Sequence, residues 1–316
     1  MKNDMKILGI SFGTKNGTND SLCIEALMGA KETGAEVEFI RMSELDIKHC
    51  TGCCACSRAL VTGKGNMCVL KDDFDWVRDK ILDADGVLIS DPIFEEGASG
   101  LFHTFMDRFG PRMDRGNNII GTKLAEENGG KIPDPRILED KVISYLGVGG
   151  SDWGTRVQCE HAMHALVDMY KVIDNKWYPW AKEILMDDER LAEVHQIGVN
   201  LANAAKDIEH AEYKGEEGVC PHCHNKLFYL EPGSTKAICA QCGMVGEIKV
   251  EDGKYTFEFP KEQLEHAHDT LPGKFIHGTD IQKMEGNFMK VRQTEEFKAR
   301  KKQYTDFISP IYPDAK

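Results

Sequence analysis

The sequence predicts an α/β fold with a doubly wound parallel sheet, followed by a small metal-binding module. Short apolar runs alternate with helical patterns over residues 1–214 of the 316-residue chain. Strands that alternate with helices pair in parallel through right-handed crossovers, and this arrangement gives a three-layer sandwich. After Tyr213 the pattern changes to turns, β-alternation and two close pairs of cysteines. We therefore divide the chain into a sheet domain (1–214), a ribbon (215–260) and a C-terminal tail with helical patches (261–316).

The elements of the sheet domain follow from apolar runs and helical periodicity. The runs predict five strands, at Lys6–Ser11, Val37–Arg41, Gly86–Ser90, Lys141–Val148 and a fifth that begins at Lys171–Asp174. Helices are predicted over Asp20–Thr33, Asp72–Asp83, about Gly100–Phe109, Thr155–Met169 and Asp187–Tyr213.

Composition narrows the class of function. The chain is 41% hydrophobic and 29% charged, as in ordinary soluble proteins. A net charge of -13 argues against nucleic acid as a partner, because phosphate-binding surfaces are usually basic. The N-terminal stretch is too short for a secretion signal, and no apolar run is long enough to span a bilayer. We expect a cytoplasmic protein with reduced thiols and no membrane partner.

A hydroxyl-rich loop joins the first strand to its helix. The segment SFGTKNGTND places Ser11, Thr14, Asn16, Thr18 and Asn19 where side chains and helix N–H groups bind phosphate. It is neither a G-x-G-x-x-G turn nor a Walker A loop, which disfavours NAD or ATP held in those ways. The alternative is a polar turn that caps the helix.

Nine of the eleven cysteines fall into two groups. In the first group, Cys50, Cys53 and Cys56 are spaced by two residues each, and Cys68 follows at a distance, while Cys54 is surplus. Three close thiolates with one distant thiolate are the ligands that a [4Fe–4S] cluster takes. The alternative is a reduced thiol knot, in which Cys53 and Cys56 are able to form a disulfide.

The second group has the spacing of a zinc ribbon. Cys220 and Cys223 form one knuckle, and Cys239 and Cys242 form the other. A module of about 45 residues buries too little apolar surface to fold alone, so a metal supplies the missing stability. Zinc fits this pattern, and iron in a rubredoxin-like site is the alternative. Four thiolates complete a tetrahedron, which makes the site structural.

The motifs taken together resemble the NADPH-dependent FMN reductase family, and within it the iron–sulfur flavoproteins. The resemblance rests on five features that follow one another along the chain. They are the loop after the first strand, the segment CTGCCAC together with Cys68 and the KDDF that follows it, and the segments DADGVLISDPIF, GLFHTFMDRFG and YLGVGGSDW. It covers about residues 5–210.

This resemblance implies a flavodoxin-like fold with FMN at the carboxyl ends of the strands. The phosphate would be held by Ser11, Thr14, Asn16, Thr18 and Asn19. The second flavin loop would be Pro92, Ile93 and Phe94, with Ser99 close by, and the third would be Gly147, Gly149, Gly150, Ser151 and Asp152. Lys15 is the one cation of the phosphate loop, where the family often has an arginine. Asp91 also departs from the family pattern, and it would disfavour a flavin anion if its side chain pointed at the ring.

The function implied is that of an FMN-dependent oxidoreductase. Electrons would pass from NAD(P)H or a protein donor to a small conjugated acceptor such as a quinone or nitro compound, or through a [4Fe–4S] cluster. One alternative is a non-enzymatic flavin and iron–sulfur electron carrier, and another is a dehydrogenase that aromatises a cyclic metabolite. Relatives suggest a homo-oligomer, either a dimer or a tetramer. No motif identifies a catalytic acid, Asp107 and Arg108 are interpreted as an ion pair that fixes their helix, and Trp153 is a candidate neighbour of the substrate.

Overall fold

Two separate sheets organise the chain in the computed structural model, which describes residues 5–313. The larger sheet has five parallel strands in the order β2-β1-β3-β4-β5. These strands are β1 (Lys6–Ser11), β2 (Glu36–Arg41), β3 (Gly86–Pro92), β4 (Val142–Val148) and β5 (Lys171–Tyr178). The direction of winding reverses between β1 and β3, so the carboxyl ends of these two strands form the topological switch point at which ligands bind in open α/β sheets.

Helices cover both faces of this sheet. They are α1 (Thr18–Glu32), α2 (Ala55–Val61), α3 (Phe74–Asp83), α4 (Gly100–Met106), α5 (Gly110–Met113), α6 (Arg115–Asn128), α7 (Val157–Asp168) and α8 (Asp188–Lys206). On one face, α1 and α8 pack together over a core that includes Leu22, Leu88 and Leu201. On the other face, aromatic residues from α3 and α4 pack with β-strand residues such as Ile89 and Tyr145. Burial of apolar surface on both faces is the main stabilising term for such a layered fold.

The second sheet is small and antiparallel. Its strands β6 (Phe228–Leu230), β7 (Lys236–Cys239), β8 (Val245–Glu251) and β9 (Lys254–Glu258) pair in chain order. The buried residues beneath it are few and include Cys220, Cys239, Cys242, Met244 and Phe257. Three of these five are cysteines, so apolar packing alone gives this sheet little stability.

The described chain forms two compact units, one up to Lys274 and one from Phe275 onward. The second unit holds most of α9 (Leu271–Val291) and all of α10 (Glu295–Phe307). No helix within residues 5–313 has both the length and the apolar character needed to cross a bilayer.

The predicted fold class is confirmed, with a five-stranded parallel sheet, a small antiparallel sheet and a helical C-terminus. The division at residues 214 and 260 stays a prediction. The helix predicted over about 100–109 is shorter and ends at Met106 as α4, and the short α5, which was not predicted, begins at Gly110. Helices α2 and α6 were not predicted. Helix α8 ends at Lys206 rather than Tyr213.

Candidate functional site

The inner side of the predicted phosphate loop is built by two of its own polar residues. Ser11 and Asn19 are both buried. The Ser11 Oγ accepts a hydrogen bond from the Gly13 N–H at 3.3 Å, and the Asn19 Nδ2 donates to the Ser90 Oγ at 3.2 Å. The first bond is local to the loop that follows β1, and the second joins the start of α1 to β3. Both side chains therefore hold the loop in place at the switch point.

The outer side of the same loop presents the remaining predicted donors. Thr14 and Asn16 are exposed, and Thr18 is half-buried. Helix α1 begins at Thr18 after Gly17, which offers no side-chain cap. The first N–H groups of a helix lack intrahelical acceptors, and together with the helix dipole they favour an anion. Hydroxyl and N–H donors are thus collected at one helix end.

Cations near this loop are already paired with carboxylates. The Lys15 Nζ lies 2.9 Å from a Glu44 carboxylate oxygen, and Arg41 bonds both Glu44 at 2.6 Å and Asp20 at 2.7 Å. Hydrogen bonds from Lys15 and then Arg41 lower the pKa of Glu44. Sequence reasoning missed Arg41. Its position at the end of β2, in register with Ser11 of the neighbouring strand, was the available signal.

Asp91, at the end of β3, points into the protein. One carboxylate oxygen accepts the Ser99 Oγ hydrogen bond at 2.6 Å, and the other accepts the Ser99 N–H at 2.8 Å. The second oxygen also lies 3.2 Å from the His161 Nε2. Ser99 caps α4 through the Phe102 N–H. The condition under which Asp91 would disfavour a flavin anion is therefore not met by this side chain, and Ser99 is buried.

The second loop, with Pro92, Ile93 and Phe94, forms a tight turn next to the third. Phe94 and Gly97 exchange two backbone hydrogen bonds of 3.0 Å. Glu95 and Glu96 between them have positive φ angles of 48° and 68°, which non-glycine residues rarely adopt. Arg156 secures the turn, because its guanidinium donates to the Glu95 carbonyl at 2.7 Å.

The third loop follows β4 and contains the five residues Gly147, Gly149, Gly150, Ser151 and Asp152. Its backbone is fixed by bonds from the Ile93 N–H to the Val148 carbonyl and from the Gly149 N–H to the Tyr178 carbonyl, both 2.9 Å. A Cβ placed on Gly150 would meet no atom within 4 Å. Trp153, just beyond, is 68% exposed, and Phe94 is 62% exposed. The third loop is thus open at Gly150, and the second and third loops each carry or adjoin an exposed aromatic ring.

His161 and His164 belong to the core and do not form a metal pair in this structure. Both are fully buried on α7. His161 faces Asp91, whereas the His164 Nε2 lies 3.2 Å from an Asp168 carboxylate oxygen. The two rings therefore serve different partners.

These observations together test whether FMN fits. The uncapped start of α1 and its hydroxyls suit a phosphate group. The open space at Gly150 lies beside backbone that hydrogen bonds hold in place and that no side chain covers, so a planar ring can approach it. The donor set and the space therefore fit FMN, with Thr14, Asn16 and Thr18 available to the phosphate. The full set of cofactor-binding residues stays a prediction.

The first cysteine group surrounds the short helix α2: Cys50 and Cys53 precede it, Cys56 lies in its first turn, and Cys68 follows it. Cys50 and Cys53 are exposed, and Cys56 and Cys68 are half-buried. The backbone N–H of Ala55, followed by the Thr51 side chain, lowers the pKa of Cys53. Burial raises the pKa of Cys56, and the nearby Cys68 adds to this rise. Thiolates around a four-iron cluster stand farther apart than those around one ion, so an open arrangement suits a cluster.

The second cysteine group is already assembled. Among residues 5–313, Cys220, Cys223, Cys239 and Cys242 are the one group of ligand-type side chains whose donor atoms all lie within 4.8 Å of one another. The sulfurs of Cys223 and Cys239 are 3.5 Å apart, and those of Cys220 and Cys242 are 3.9 Å apart. Each knuckle is closed by a backbone bond, from the His224 N–H to the Cys220 carbonyl at 2.9 Å and from the Gly243 N–H to the Cys239 carbonyl at 3.0 Å. This donor set fits a tetrahedral metal ion.

The electrostatics of the four thiols also favour a cation. Hydrogen bonds within the group lower the pKa of Cys220 and Cys239 and raise the pKa of Cys223 and Cys242. The four neighbouring thiols therefore differ in how readily they lose a proton. A metal ion that binds all four as thiolates removes this difference. His222 is not a competing ligand, because its Nε2 lies 2.8 Å from an Asp269 carboxylate oxygen.

Arg108 does not pair with Asp107 as the sequence suggested. Its guanidinium bonds instead to Asp72, which precedes α3, and to the Lys48 carbonyl at 3.3 Å. The residue therefore links the helix region after the second loop to the loop that carries the cysteines.

Comparison with known proteins identifies the class to which this fold and site belong. The family model for NADPH-dependent FMN reductases matches residues 5–179, which is more than half of the chain. The chain therefore belongs to the NADPH-dependent FMN reductase family, and the predicted resemblance is confirmed.

Individual relatives extend the comparison beyond the sheet domain. A solved structure of a flavone reductase has 61% sequence identity and a TM-score of 0.89, and covers 98% of this chain and 100% of that one. A flavone synthase of Aspergillus candidus is 27% identical over 279 residues, 80% of this chain and 81% of that protein. An iron–sulfur flavoprotein of Methanocaldococcus jannaschii is 33% identical over 172 residues, 54% of this chain and 77% of that protein.

Proposed function

We propose that this chain is an FMN-dependent reductase of a carbon–carbon double bond conjugated to a ketone in a flat aromatic compound of the flavone type. The observation that carries this proposal is the 61% identity to a flavone reductase across almost the whole chain, including the ribbon and the tail. NAD(P)H is the proposed source of the hydride, in keeping with the family to which the chain belongs.

Bound FMN would supply hydride transfer, and the protein would supply binding, orientation and exclusion of water. The hydroxyls of Thr14 and Thr18, with the first N–H groups of α1, would hold the phosphate. The backbone around Gly150 would lie against the ring, because no side chain occupies the space there.

The exposed rings of Phe94 and Trp153 would contact the acceptor. Flat aromatic molecules gain from stacking on aromatic side chains as well as from the burial of apolar area. Arg156 ties the turn that carries Phe94 to the start of α7, close to Trp153 in sequence. The two rings would thus be held on neighbouring, well-fixed loops rather than on mobile ones.

The reverse reaction is a second candidate, favoured by the similarity to a flavone synthase over 80% of the chain. Removal of two hydrogens from a saturated ring would use the same site, with electrons passing to the cofactor instead of from it. The iron–sulfur flavoprotein relatives favour a third, the electron carrier. Rapid NAD(P)H oxidation by the pure protein supports the enzyme, whereas reduction by ferredoxin alone supports the carrier.

The test uses the full chain, purified anaerobically, with unsubstituted flavone as the acceptor. We expect bound FMN in the absorption spectrum, consumption of NADH or NADPH on addition of flavone, and a product two hydrogens heavier by mass spectrometry. A quinone and a nitroarene serve as comparison acceptors. Colourless protein that takes up no FMN would contradict the proposal, and so would turnover of the quinone with none of flavone.

A matched pair of glycine variants tests the cofactor site. Gly150→Leu places a side chain in open space at the third loop, so we expect a correctly folded protein whose FMN affinity falls at least tenfold. Gly286→Leu makes the same change in α9, where a Cβ also meets no atom within 4 Å, and should leave FMN binding unchanged. Equal FMN affinity in the two variants would exclude Gly150 from the ring site.

A further inference from the structure

Three arginines are buried beside the loop that carries the first cysteine group. Arg78 is 7% exposed, Arg108 is 5% exposed and Arg112 is 1% exposed. Buried arginines are rare unless they are paired, because removing a charge from water is costly. Their partners therefore indicate what the site is built to hold.

Carboxylates neutralise only part of this charge. Arg108 pairs with Asp72, whose side chain is buried, and Arg112 pairs with Asp75, whose side chain is 37% exposed. Among the described residues, no carboxylate lies within salt-bridge distance of Arg78, which donates instead to the Arg112 carbonyl at 3.3 Å. Burial and the proximity of Arg112 lower the pKa of Arg78 to about 10, so it remains charged at neutral pH. Arg108 and Arg112 thus each have a carboxylate at salt-bridge distance, whereas Arg78 has none.

Several guanidinium nitrogens also lack an acceptor within the described chain. They are the Nε and one terminal nitrogen of both Arg108 and Arg112, and a terminal nitrogen of Arg78. The Phe74 ring offers partial compensation, with the Arg108 guanidinium carbon 4.2 Å and that of Arg112 5.5 Å from its centroid. A buried N–H donor without an acceptor still costs about 1–3 kcal/mol. The unpaired donors and the excess charge both call for an anion.

The segment before Asp72 brings sulfur atoms to these arginines. The Met67 Sδ lies 3.9 Å from a terminal nitrogen of Arg112, and the Asn66 side chain donates to the Arg112 carbonyl at 3.2 Å. Cys68 follows Met67 directly in sequence. The Lys48 carbonyl, two residues before Cys50, accepts a hydrogen bond from Arg108 at 3.3 Å. Helix α2, which carries Cys56, packs against α5, which carries Arg112. The segments that carry the predicted cluster ligands thus lie against the cationic side of the core.

We propose that Arg108 and Arg112 form the inner wall of an iron–sulfur site held by Cys50, Cys53, Cys56 and Cys68, and that they raise the reduction potential of its cluster. The inference rests on the predicted [4Fe–4S] cluster and not on the acceptor of the flavin. One-electron reduction takes the cluster core from the 2+ to the 1+ state, with the electron supplied by dithionite in the test and by reduced FMN in the enzyme. The site gains one negative charge, which nearby cations and N–H donors stabilise.

The test measures the potential of the cluster, not activity. The full chain is purified anaerobically, analysed for iron, sulfide and FMN, and titrated with dithionite while the reduced cluster is followed by electron paramagnetic resonance. Arg108→Gln and Arg112→Gln should each weaken reduction about tenfold, which is a fall of about 59 mV for one electron. Arg292→Gln removes the same charge from the exposed tail and should leave the potential unchanged.

Conservative variants keep the test decisive if a glutamine variant fails to fold. Arg108→Lys and Arg112→Lys retain the charge but lose the forked donors, so each should lower the potential in the same direction by a smaller amount. Unchanged potentials in all folded variants would overturn the proposal. Iron-free and sulfide-free wild-type protein would do so as well. If that protein still bound FMN and reduced flavone, the reductase function would stand while this inference failed.

Discussion

The two cysteine groups of this chain both contain cysteines separated by two residues, but they differ in burial, in the spacing of their sulfurs and in the charge around them. In the ribbon, the four sulfurs lie within 4.8 Å of one another, and three of the four residues are buried. In the sheet domain, Cys50, Cys53 and Cys54 are exposed, and the neighbouring core is cationic. Backbone bonds close both knuckles of the ribbon, whereas the first group lies in a loop that leads into α2.

This difference separates a structural site from one suited to electron transfer. A closed set of four thiolates around one ion leaves no open ligand position, so it contributes to folding and not to chemistry. An open loop over a positively charged core leaves room for a larger anionic cofactor near the surface, where electrons can leave. The spacing of cysteines alone therefore does not define the role of a site, because the surrounding backbone and charge decide it.

The largest expected effect comes from loss of a ribbon ligand. Cys239→Ser removes one of four donors from a module whose small buried core includes three of the four cysteines, so we expect loss of the metal and unfolding of residues 215–260. Metal analysis and limited proteolysis would check this outcome, with Cys23→Ala in the sheet core as a control that retains the metal. A ribbon that resists proteolysis without metal would contradict a structural role for the ion.

A change in the first group should act in the opposite way. Cys56→Ser should abolish iron and sulfide binding but leave the ribbon metal and the melting temperature of the sheet domain nearly unchanged, because the loop adds little to the core. Elemental analysis and calorimetry on one preparation would measure both. Cys54→Ser is the matched control, since Cys54 is surplus to the predicted ligands. If Cys56→Ser unfolded the sheet domain, the contrast between the two groups would be lost.

The parts of this molecule that could be predicted from sequence are those determined by local patterns. Buried parallel strands appear as apolar runs such as those of β1 and β3, and knuckles appear as cysteine pairs. Helix α6 was missed because Gly116, Gly121 and three asparagines give it low helical propensity. Packing explains its composition, since a Cβ on Gly121 would lie 2.1 Å from the Leu60 Cδ1.

The partners of charged residues were the least predictable part of the site. The sequence left the direction of the Asp91 side chain open, and the structure shows that it binds Ser99 and His161, the second of which lies 70 residues away in sequence. Arg108 was assigned to the adjacent Asp107, yet it pairs with Asp72. These contacts depend on how α3, α4 and α7 pack together, and a single sequence does not contain that information.

The effect of acid on stability should also differ between the ribbon and the sheet domain, and we expect this difference to be smaller than the effects above. Thiolate ligands bind metal less tightly as pH falls, so the ribbon should lose stability in acid. Asp174, on β5 of the sheet domain, has the opposite tendency, because burial raises its pKa to about 6. Its carboxyl is protonated more readily in the folded protein than in the unfolded chain, where the pKa is about 3.9. Its contribution is therefore fully favourable below pH 4 and is lost as pH rises through 6.

Asp174→Asn tests this tendency directly. Replacing the carboxylate removes the cost of burying its charge. At pH 7 we therefore expect the free energy of unfolding of the variant to exceed that of the wild type by about 1 kcal/mol, with an upper limit of about 3 kcal/mol. The gain should be small near pH 4 and vanish near pH 3, where the wild-type carboxyl is largely neutral in both states. Urea unfolding at both pH values measures the difference, with the exposed Asp188→Asn at the start of α8 as a control that shows no such gain. A variant less stable than wild type at pH 7 would mean that the hydrogen bond between Asp174 and Asn200, 3.2 Å long, outweighs the cost of desolvation.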